Sequence, residues 1–126
     1  MTDQKRILII DDESDIREVA QVSLELVGHF EVFTAANGRE GVEAARLHQP
    51  DAILLDVTMP ELDGPATLAQ LHSDPATTAI PVVFLTAKTQ TAERAQLAQR
   101  GAAGILTKPF DPLKLAEQLA TTLHWQ

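Results

Sequence analysis

Residues 51–64 read DAILLDVTMPELDG, and the rest of the chain is interpreted from this stretch. Its apolar run, residues 52–55, is short, follows Pro50 and precedes turn-forming proline, aspartate and glycine residues. A run of this length between turn signals predicts a strand that is buried on both faces rather than a helix. Asp56 then stands at the carboxyl end of that strand. A single aspartate in such a place is typical of a helix N-cap or a loop, so its role depends on the residues around it.

Segments of two kinds alternate along the chain, and they predict five strands and five helices. A helix between two parallel strands returns the chain to the same end of the sheet, so this alternation predicts one α/β domain with a parallel sheet. The second strand contains Glu31 and Thr34 and is therefore expected at an edge of the sheet. The predicted strands are residues 5–10, 30–35, 52–56, 80–86 and 104–107, and the predicted helices are residues 14–27, 38–47, 67–72, 91–100 and 112–123.

The apolar residues of each helix recur at helical spacing, which predicts the face that packs on the sheet. Ser14 or a neighbouring acid is expected to cap the first helix. Burial of the apolar side chains on these faces is expected in the folded chain. They are Ile16, Val19, Ala20, Leu24 and Val27 in the first helix, Val42, Ala45 and Leu47 in the second, Leu68 and Leu71 in the third, Ala95 with Leu97 or Ala98 in the fourth, and Leu115, Ala116, Leu119 and Leu123 in the fifth.

The composition is that of one globular domain without disulfide bonds. The chain has 126 residues, of which 44% are hydrophobic and 22% charged, and it has no cysteine. A domain of this length buries an adequate core on its own, and the lack of cysteine excludes thiol catalysis and cysteine-ligated metals. The longest apolar runs, such as residues 7–10 and 82–85, are too short to cross a bilayer, and no signal-peptide pattern is recognised. A cytoplasmic protein with no membrane partner is expected.

The charge balance argues against one class of partner. Eighteen Asp and Glu residues against ten Lys and Arg residues give a formal net charge of −8. A surface with this charge repels the phosphate backbone of nucleic acids. No direct nucleic-acid partner is therefore expected.

Polar residues stand at the ends of four of the five predicted strands. Parallel strands share one carboxyl edge, and ligand sites of open α/β sheets lie at that edge. Taken singly, such residues are usually explained by helix capping, by loops or by hydrogen bonds to the backbone. Their joint placement after successive buried strands indicates a site. Its members are Asp11 and Asp12 after the first strand, Asp56 on the third, Thr86 on the fourth and Lys108 after the fifth.

These residue types predict metal-assisted phosphoryl chemistry. Carboxylates a few ångströms apart repel one another by roughly 3 to 4 kcal/mol per close pair at an effective dielectric constant near 20, so Asp11, Asp12 and Asp56 favour a divalent cation. Carboxylate oxygens suit Mg²⁺ or Mn²⁺, and an ion beside Asp56 neutralises charge on a transferring phosphoryl group. Lys108 and Thr86 supply an ammonium and a hydroxyl for the remaining oxygens of an acyl phosphate.

Four motifs of the chain, IIDDES, LLDVTMPELDG, VVFLTA and TKPF, occur at the ends of predicted strands. Together they resemble the receiver domain of two-component response regulators, and the resemblance covers residues 5–123. It implies a flavodoxin-like, doubly wound sheet of five strands in the order 2-1-3-4-5. It also implies that Asp56 is the phosphoacceptor, forming a 4-aspartylphosphate, and that Thr86 and Lys108 bind the phosphoryl oxygens.

The same resemblance implies a magnesium site and a backbone feature. Asp12, Asp56 and the backbone carbonyl of Thr58 would bind Mg²⁺ directly, and Asp11 would act through a water molecule. A cis peptide bond is expected before Pro109. The metal is therefore expected to share its ligands with the phosphoacceptor.

The implied function is a phosphorelay signalling switch. The chain would take a phosphoryl group from a phosphohistidine on a sensor histidine kinase or a histidine phosphotransfer protein and then change its affinity for a downstream target protein. It would catalyse only its own phosphorylation and dephosphorylation, so it is not expected to be an enzyme with an external substrate. A monomer or weak dimer is expected. Because no output domain is recognised within residues 1–126, the resemblance implies docking through the fourth helix, fifth strand and fifth helix.

Three alternatives remain open. A Mg²⁺-dependent phosphohydrolase with an aspartyl nucleophile would use similar chemistry, although enzymes of the haloacid dehalogenase type place a second aspartate two residues after the nucleophile, whereas Asp11 and Asp12 are adjacent. The chain is alternatively a receiver fragment of a longer regulator. A receiver that works without phosphorylation is the third alternative, and the presence of all the acidic, hydroxyl and lysine residues argues against it.

One position departs from the family pattern. Three residues before the lysine the family usually has an aromatic residue that reports phosphorylation, whereas this chain has Ile105, which is expected to pack in the core. The signal is therefore expected to leave through Thr86 and the loop of residues 87–91. Thr58 and Lys88 stand where the family places residues that tune hydrolysis of the acyl phosphate.

Overall fold

The computed structural model describes residues 4–87 and 91–125 of the chain. Within these residues five strands and five helices alternate, as the sequence predicts. Among the described helices, none is both long and apolar enough to cross a membrane. Strands β1 to β5 are Arg6–Ile10, Glu31–Ala35, Ala52–Asp56, Val82–Thr86 and Gly104–Thr107, and helices α1 to α5 are Ser14–Leu26, Gly38–His48, Gly64–Ser73, Thr91–Ala98 and Leu115–Thr122.

The strands form one parallel sheet in the order β2-β1-β3-β4-β5, which confirms the predicted fold class and the edge position of β2. The register aligns the carboxyl ends of neighbouring strands. Asp56 pairs with Leu85 across β3 and β4, and Thr86 pairs with Thr107 across β4 and β5. Because β2 and β3 lie on opposite sides of β1, the strand order reverses there, and a crevice opens at the carboxyl ends of β1 and β3.

Helices cover both faces of the sheet, and each face has its own apolar core. Ile7 and Ile9 of β1 pack with α1 and α5, whereas Leu8 and Ile10 pack with α2, α3 and α4. All five residues of β3, including Asp56, are buried. Burial on both faces explains why the central strands are continuously apolar in sequence, as parallel strands between helices must be.

Helix α3 begins earlier than the sequence predicts. The prediction starts it at Thr67, but the helix begins at Gly64. The Asp63 side chain caps it by accepting a hydrogen bond from the Ala66 backbone N–H at 2.9 Å, and Pro65 occupies its first turn. The aspartate of the motif therefore ends the loop after β3 and starts the helix.

The predicted buried face of helix α2 is correct except at one residue. Leu47 is 77% exposed, so its predicted burial is wrong. The helix buries Gly38 and Gly41 together with the predicted Val42 and Ala45. A Cβ atom at Gly41 would lie 2.4 Å from the Ile10 Cδ1 atom, so glycine allows the helix to approach β1 and fixes its rotation. A pattern that counts only apolar side chains does not register this glycine.

The predicted burial of Val19, Val27 and Ala95 is also wrong, since all three residues are exposed. Helix α1 buries Ala20, Ser23 and Leu24, and the Ser23 hydroxyl donates a hydrogen bond to the Pro112 carbonyl. This polar contact keeps a serine on the buried face and leaves the valines outside. Helix α4 buries Leu97 alone among its residues.

Candidate functional site

The sheet brings the predicted site residues to one edge. Asp56 ends β3 and Thr86 ends β4, while Asp11 and Lys108 directly follow β1 and β5. Backbone hydrogen bonds continue the sheet beyond the strand ends, since the Lys108 N–H donates to the Thr86 carbonyl at 2.8 Å and the Asp11 N–H donates to the Ala35 carbonyl at 3.1 Å. The side chains are therefore held by the sheet rather than by mobile loops.

A buried lysine bridges two buried carboxylates. The Lys108 Nζ atom lies 3.1 Å from Asp11 Oδ2 and 3.2 Å from Asp56 Oδ1. The Lys108 side chain is 11% exposed, that of Asp11 is 1% exposed, and that of Asp56 is 4% exposed. Charges with so little solvent around them interact strongly, so these three groups are electrostatically one unit.

Four acids lie close enough together to hold a metal ion. Asp11, Asp12, Glu13 and Asp56 each offer one carboxylate oxygen, and these oxygens lie within 4.8 Å of one another. Among the described residues, the buried Asp56 Oδ2 atom has no hydrogen-bond partner, and Asp11 Oδ2 has only its ion-pair contact with Lys108, without hydrogen-bond geometry. Buried carboxylate oxygens without hydrogen-bond donors, in a set of hard oxygen ligands, fit a magnesium-sized cation.

The electrostatics of the site follow from burial. Burial and the nearby Asp11 charge raise the pKa of Asp56 from 3.8 to about 6, against the opposing effects of Lys108 and of the Thr58 backbone N–H. Burial lowers the pKa of Lys108, but its contacts with Asp11 and Asp56 outweigh this, so the lysine pKa is raised and the ammonium stays charged. The site thus has excess negative charge around one cation.

The loop after β3 keeps the backbone close to the phosphoacceptor candidate. The Thr58 N–H donates to Asp56 Oδ1 at 3.4 Å, and the Gly64 N–H donates to the Val57 carbonyl at 2.8 Å. A Cβ atom at Gly64 would lie 2.6 Å from the Asp56 carbonyl oxygen, so only glycine allows α3 to start here. The structure places Thr58 beside Asp56 as predicted, while the metal-binding role of its carbonyl stays a prediction.

Two side chains at the site were not singled out from the sequence. The Glu13 carboxylate lies 3.4 Å from the Lys108 Nζ atom, and the Arg17 guanidinium donates to the Asp11 backbone carbonyl at 2.7 Å. Arg17 lies four residues after Glu13, so one-turn helical spacing from Glu13 was the signal available for Arg17.

Two further predictions about the site, the cis peptide bond and the packing of Ile105, agree with the structure. The predictions about residues 88–90 concern a segment outside the described residues. The Lys108-Pro109 peptide bond is cis, as expected. Ile105 is partly buried and packs against the core, as expected for the residue that replaces the aromatic. Lys88 lies outside the described residues, as do residues 89 and 90 of the loop predicted to carry the output signal.

Comparisons with known proteins agree with the geometry. A family model described as the response regulator receiver domain matches residues 7–120. Response regulator Rre1 of Synechocystis sp. is 40% identical over 91% of this chain and 50% of its own length, and Protein PilH of Pseudomonas aeruginosa is 39% identical over 94% of this chain and 97% of its own. Chemotaxis protein CheY4 of Vibrio cholerae has a solved structure that aligns with a TM-score of 0.87 at 31% identity, covering 95% of this chain and 99% of that one. The chain spans about half the length of several curated relatives that it matches, Rre1 among them.

Proposed function

We propose a phosphorylation switch centred on Asp56 for this chain, which belongs to the response regulator receiver domain family of two-component signalling. Receiver domains of this family are signalling switches rather than classical enzymes, and they work with histidine kinases and downstream targets. Family membership therefore favours the switch over the phosphohydrolase alternative. The proposed receiver unit, residues 5–123, contains the matched residues 7–120.

The observation that carries the proposal is the unpaired Oδ2 atom of Asp56. This oxygen is buried and has no hydrogen-bond partner within residues 4–87 and 91–125, while Oδ1 contacts the Lys108 ammonium at 3.2 Å. An unpaired carboxylate oxygen has its lone pairs available for attack on phosphorus. In the proposed transfer the Asp56 O–P bond forms, the N–P bond of the phosphohistidine breaks, and the imidazole nitrogen keeps the electron pair.

We propose Asp11, Asp12 and Asp56 as the residues that hold Mg²⁺ or Mn²⁺, with the Thr58 carbonyl as a further ligand. Asp12 and Asp56 would contact the ion directly and Asp11 through water. When bound, the ion supplies positive charge that offsets the charge of the phosphoryl oxygens. The proposal is supported by the carboxylate oxygens of Asp11, Asp12, Glu13 and Asp56, which lie within 4.8 Å of one another.

Lys108 and Thr86 are proposed to bind the phosphoryl oxygens once the acyl phosphate exists. Phosphorylation converts the Asp56 carboxylate into an acyl group, so the ion pair with Lys108 loses its anion. The lysine then has a stronger electrostatic partner in the new phosphoryl oxygens. The Thr86 side chain is 1% exposed at the end of β4, so its hydroxyl lies within the same buried edge.

The output is proposed to leave through β5. Thr86 pairs with Thr107, which directly precedes Lys108, so both proposed phosphoryl ligands act on the end of this strand. The Arg94 side chain of α4 donates to the Thr107 hydroxyl at 3.0 Å, and Ile105 lies partly buried two residues before Thr107. A shift of Thr107 would therefore move its hydrogen-bond partner on α4 and the part of β5 that contains Ile105. The face formed by α4, β5 and α5 is accordingly proposed to bind the downstream target.

Mass spectrometry tests the phosphoacceptor. Incubation with acetyl phosphate and Mg²⁺ is expected to add about 80 Da, one phosphoryl group, to the wild type and nothing to Asp56→Asn. Glu61→Gln, an exposed acid of the same loop, serves as the matched control and should keep the addition. No mass increase in the wild type, or an increase that persists in Asp56→Asn, would contradict the proposal.

An exposed apolar patch along α1 is proposed to dock the phosphohistidine donor protein. It consists of Val19, Val22 and Leu26 of α1, the following Val27, and Leu113, each between 44% and 75% exposed. Helix α1 begins directly after Glu13 and Leu113 lies five residues after Lys108, so both segments of the patch continue from the acidic edge along the chain. A donor must approach this edge closely to reach a carboxylate that is 4% exposed, and its surface is proposed to extend over the patch.

Charged substitutions distinguish protein docking from chemistry at the site. Val22→Glu is expected to slow transfer from a histidine kinase that phosphorylates the wild type by about tenfold, because desolvating the new charge costs about 1.4 kcal/mol or more. Phosphorylation by acetyl phosphate should change less than about twofold, since this small donor needs no docking surface. Leu47→Glu, on α2 and 77% exposed, is the matched control. Equal slowing by both variants, or of both donors, would contradict the docking assignment.

A further inference from the structure

We propose that Glu13 is the contact which Lys108 exchanges for an arriving phosphoryl group. Glu13 would be a positioning residue, because it acts on the lysine and not on the phosphoryl group itself. The inference rests on the proposed function of Asp56 and Lys108, and it adds an acid that holds the lysine only in the unphosphorylated protein. Because Glu13 is the N-cap residue of α1, the exchange would link phosphorylation of Asp56 to a change in side-chain contacts at the N-terminus of that helix.

Three carboxylates already compete for the lysine before any phosphoryl group is present. The Nζ atom lies 3.1 Å from Asp11, 3.2 Å from Asp56 and 3.4 Å from Glu13. The contact with Glu13 has hydrogen-bond geometry, and it spans 95 positions in sequence. Phosphorylation removes the charge of Asp56, so Asp11 and Glu13 are the acids that remain beside the lysine. Because an ammonium has only three N–H donors, a lysine that turns them toward the phosphoryl oxygens gives up one of these two acids.

The exposures of the two remaining acids indicate which contact is released. Asp11 is 1% exposed, so leaving it without its cation strands a buried charge. Glu13 is 62% exposed, and its carboxylate regains water when it leaves the lysine. An exposed ion pair is also weak, contributing about 0.2 to 1 kcal/mol, which is a factor of about 1.4 to 5 in an equilibrium constant.

The N-terminus of α1 offers the Glu13 carboxylate an alternative to its contact with Lys108. Glu13 is the N-cap residue of α1, yet its side chain makes no capping hydrogen bond. The first backbone N–H groups of a helix lack partners within the helix and favour a nearby negative charge. When the lysine leaves, the carboxylate can therefore cap its own helix, so the release of one contact is offset by the formation of another.

Titration with beryllofluoride, a phosphoryl analogue, in the presence of Mg²⁺ tests the exchange. Glu13→Gln is expected to bind the analogue about two- to fivefold more tightly than the wild type, because glutamine competes weakly for the lysine. Asp15→Asn removes the same charge from the exposed first turn of α1 and should change the affinity less than about 1.5-fold. The gain of Glu13→Gln should shrink at high ionic strength, since an exposed pair is screened by salt. Unchanged or weaker binding by Glu13→Gln, or an equal gain in Asp15→Asn, would overturn the inference.

Two further measurements separate this role from others. A crystal structure of the beryllofluoride complex should place Lys108 Nζ on the analogue and more than 4 Å from the Glu13 carboxylate, and a retained Glu13 contact would overturn the inference. Mg²⁺ titration without the analogue should give the same affinity for Glu13→Gln as for the wild type, and a clear loss would make Glu13 a metal-binding residue instead. A wild type that binds no beryllofluoride would refute the proposed function itself, whereas a wild type that binds it normally confines any failure to Glu13.

Discussion

Asp56→Asn is expected to be more stable than the wild type by about 2 kcal/mol at pH 7 when divalent ions are absent. The wild type must hold an ionised Asp56 that is 4% exposed and lies near the Asp11 charge. Asparagine has nearly the same shape and no charge, so the repulsion and most of the desolvation disappear. The estimate starts from the pKa of Asp56, which is raised from 3.8 to about 6 with the attraction of Lys108 included. This shift corresponds to about 3 kcal/mol, and the cost of burying the polar asparagine amide reduces it to about 2 kcal/mol.

The pH dependence of this difference has a definite sign. An acid whose pKa is raised on folding binds its proton more tightly in the folded chain, so its contribution to stability is complete below the unfolded pKa and is lost as the pH rises through the folded one. For Asp56 that window extends from about pH 4 to about pH 6. The wild type should therefore lose stability relative to Asp56→Asn as the pH rises from 4.5 to 7, which urea unfolding followed by circular dichroism measures.

A control variant and the addition of Mg²⁺ make the prediction about the stability of Asp56→Asn specific. Glu61→Gln removes an exposed acid of the same loop and should change the free energy of unfolding by less than about 0.5 kcal/mol. Added Mg²⁺ should stabilise the wild type more than Asp56→Asn, because the ion binds the folded chain and the variant lacks one proposed ligand. A variant that is no more stable than the wild type at pH 7 without divalent ions would show that Asp56 is not under electrostatic strain.

The positions of the site residues could be predicted from the sequence because they follow from topology. Asp11, Asp56, Thr86 and Lys108 each end or follow a strand, and in a parallel sheet all these ends meet at one edge. The strands themselves were identifiable because β1, β3 and β4 are buried on both faces and are therefore continuously apolar. No knowledge of side-chain conformation was needed for this part of the site.

Contacts between distant residues and helix rotations could not be predicted in the same way. The Glu13 contact with Lys108 depends on side-chain conformations across 95 positions, and nothing in the local pattern distinguishes Glu13 from an ordinary solvated acid. The apolar pattern placed Val42 and Ala45 of α2 correctly on the buried face, but it also included Leu47 because it does not register Gly41 lying against β1. Sequence patterns therefore located the strand ends and the centre of the helix face, but not the limits that close backbone approach sets to that face.

Lys108→Met is expected to have the opposite effect on stability to Asp56→Asn. The methionine keeps most of the aliphatic stem but removes the cation, so Asp11 and Asp56 remain buried without their counter-charge. Breaking a buried ion pair from one side costs about 3 kcal/mol or more in the free energy of unfolding. Lys114→Ala, which removes an exposed lysine, is the control and should change stability by less than about 0.5 kcal/mol. Mg²⁺ should restore part of the loss in Lys108→Met, since the ion replaces the missing positive charge.

Combining Lys108→Met with Asp56→Asn shows whether the two effects share one cause. If Lys108 stabilises the fold mainly by neutralising Asp56, Asp56→Asn should stabilise Lys108→Met by more than the roughly 2 kcal/mol that it adds to the wild type. The difference is a coupling energy of about 1 to 3 kcal/mol between the two sites. Urea unfolding of all four proteins at pH 7 without divalent ions completes the cycle. Beryllofluoride binding should weaken more than about tenfold in Lys108→Met even with Mg²⁺ present, because the ammonium is the proposed partner of the phosphoryl oxygens. Additive stability changes would instead mean that Lys108 is held mainly by Asp11, and unimpaired beryllofluoride binding would remove the lysine from the proposed switch.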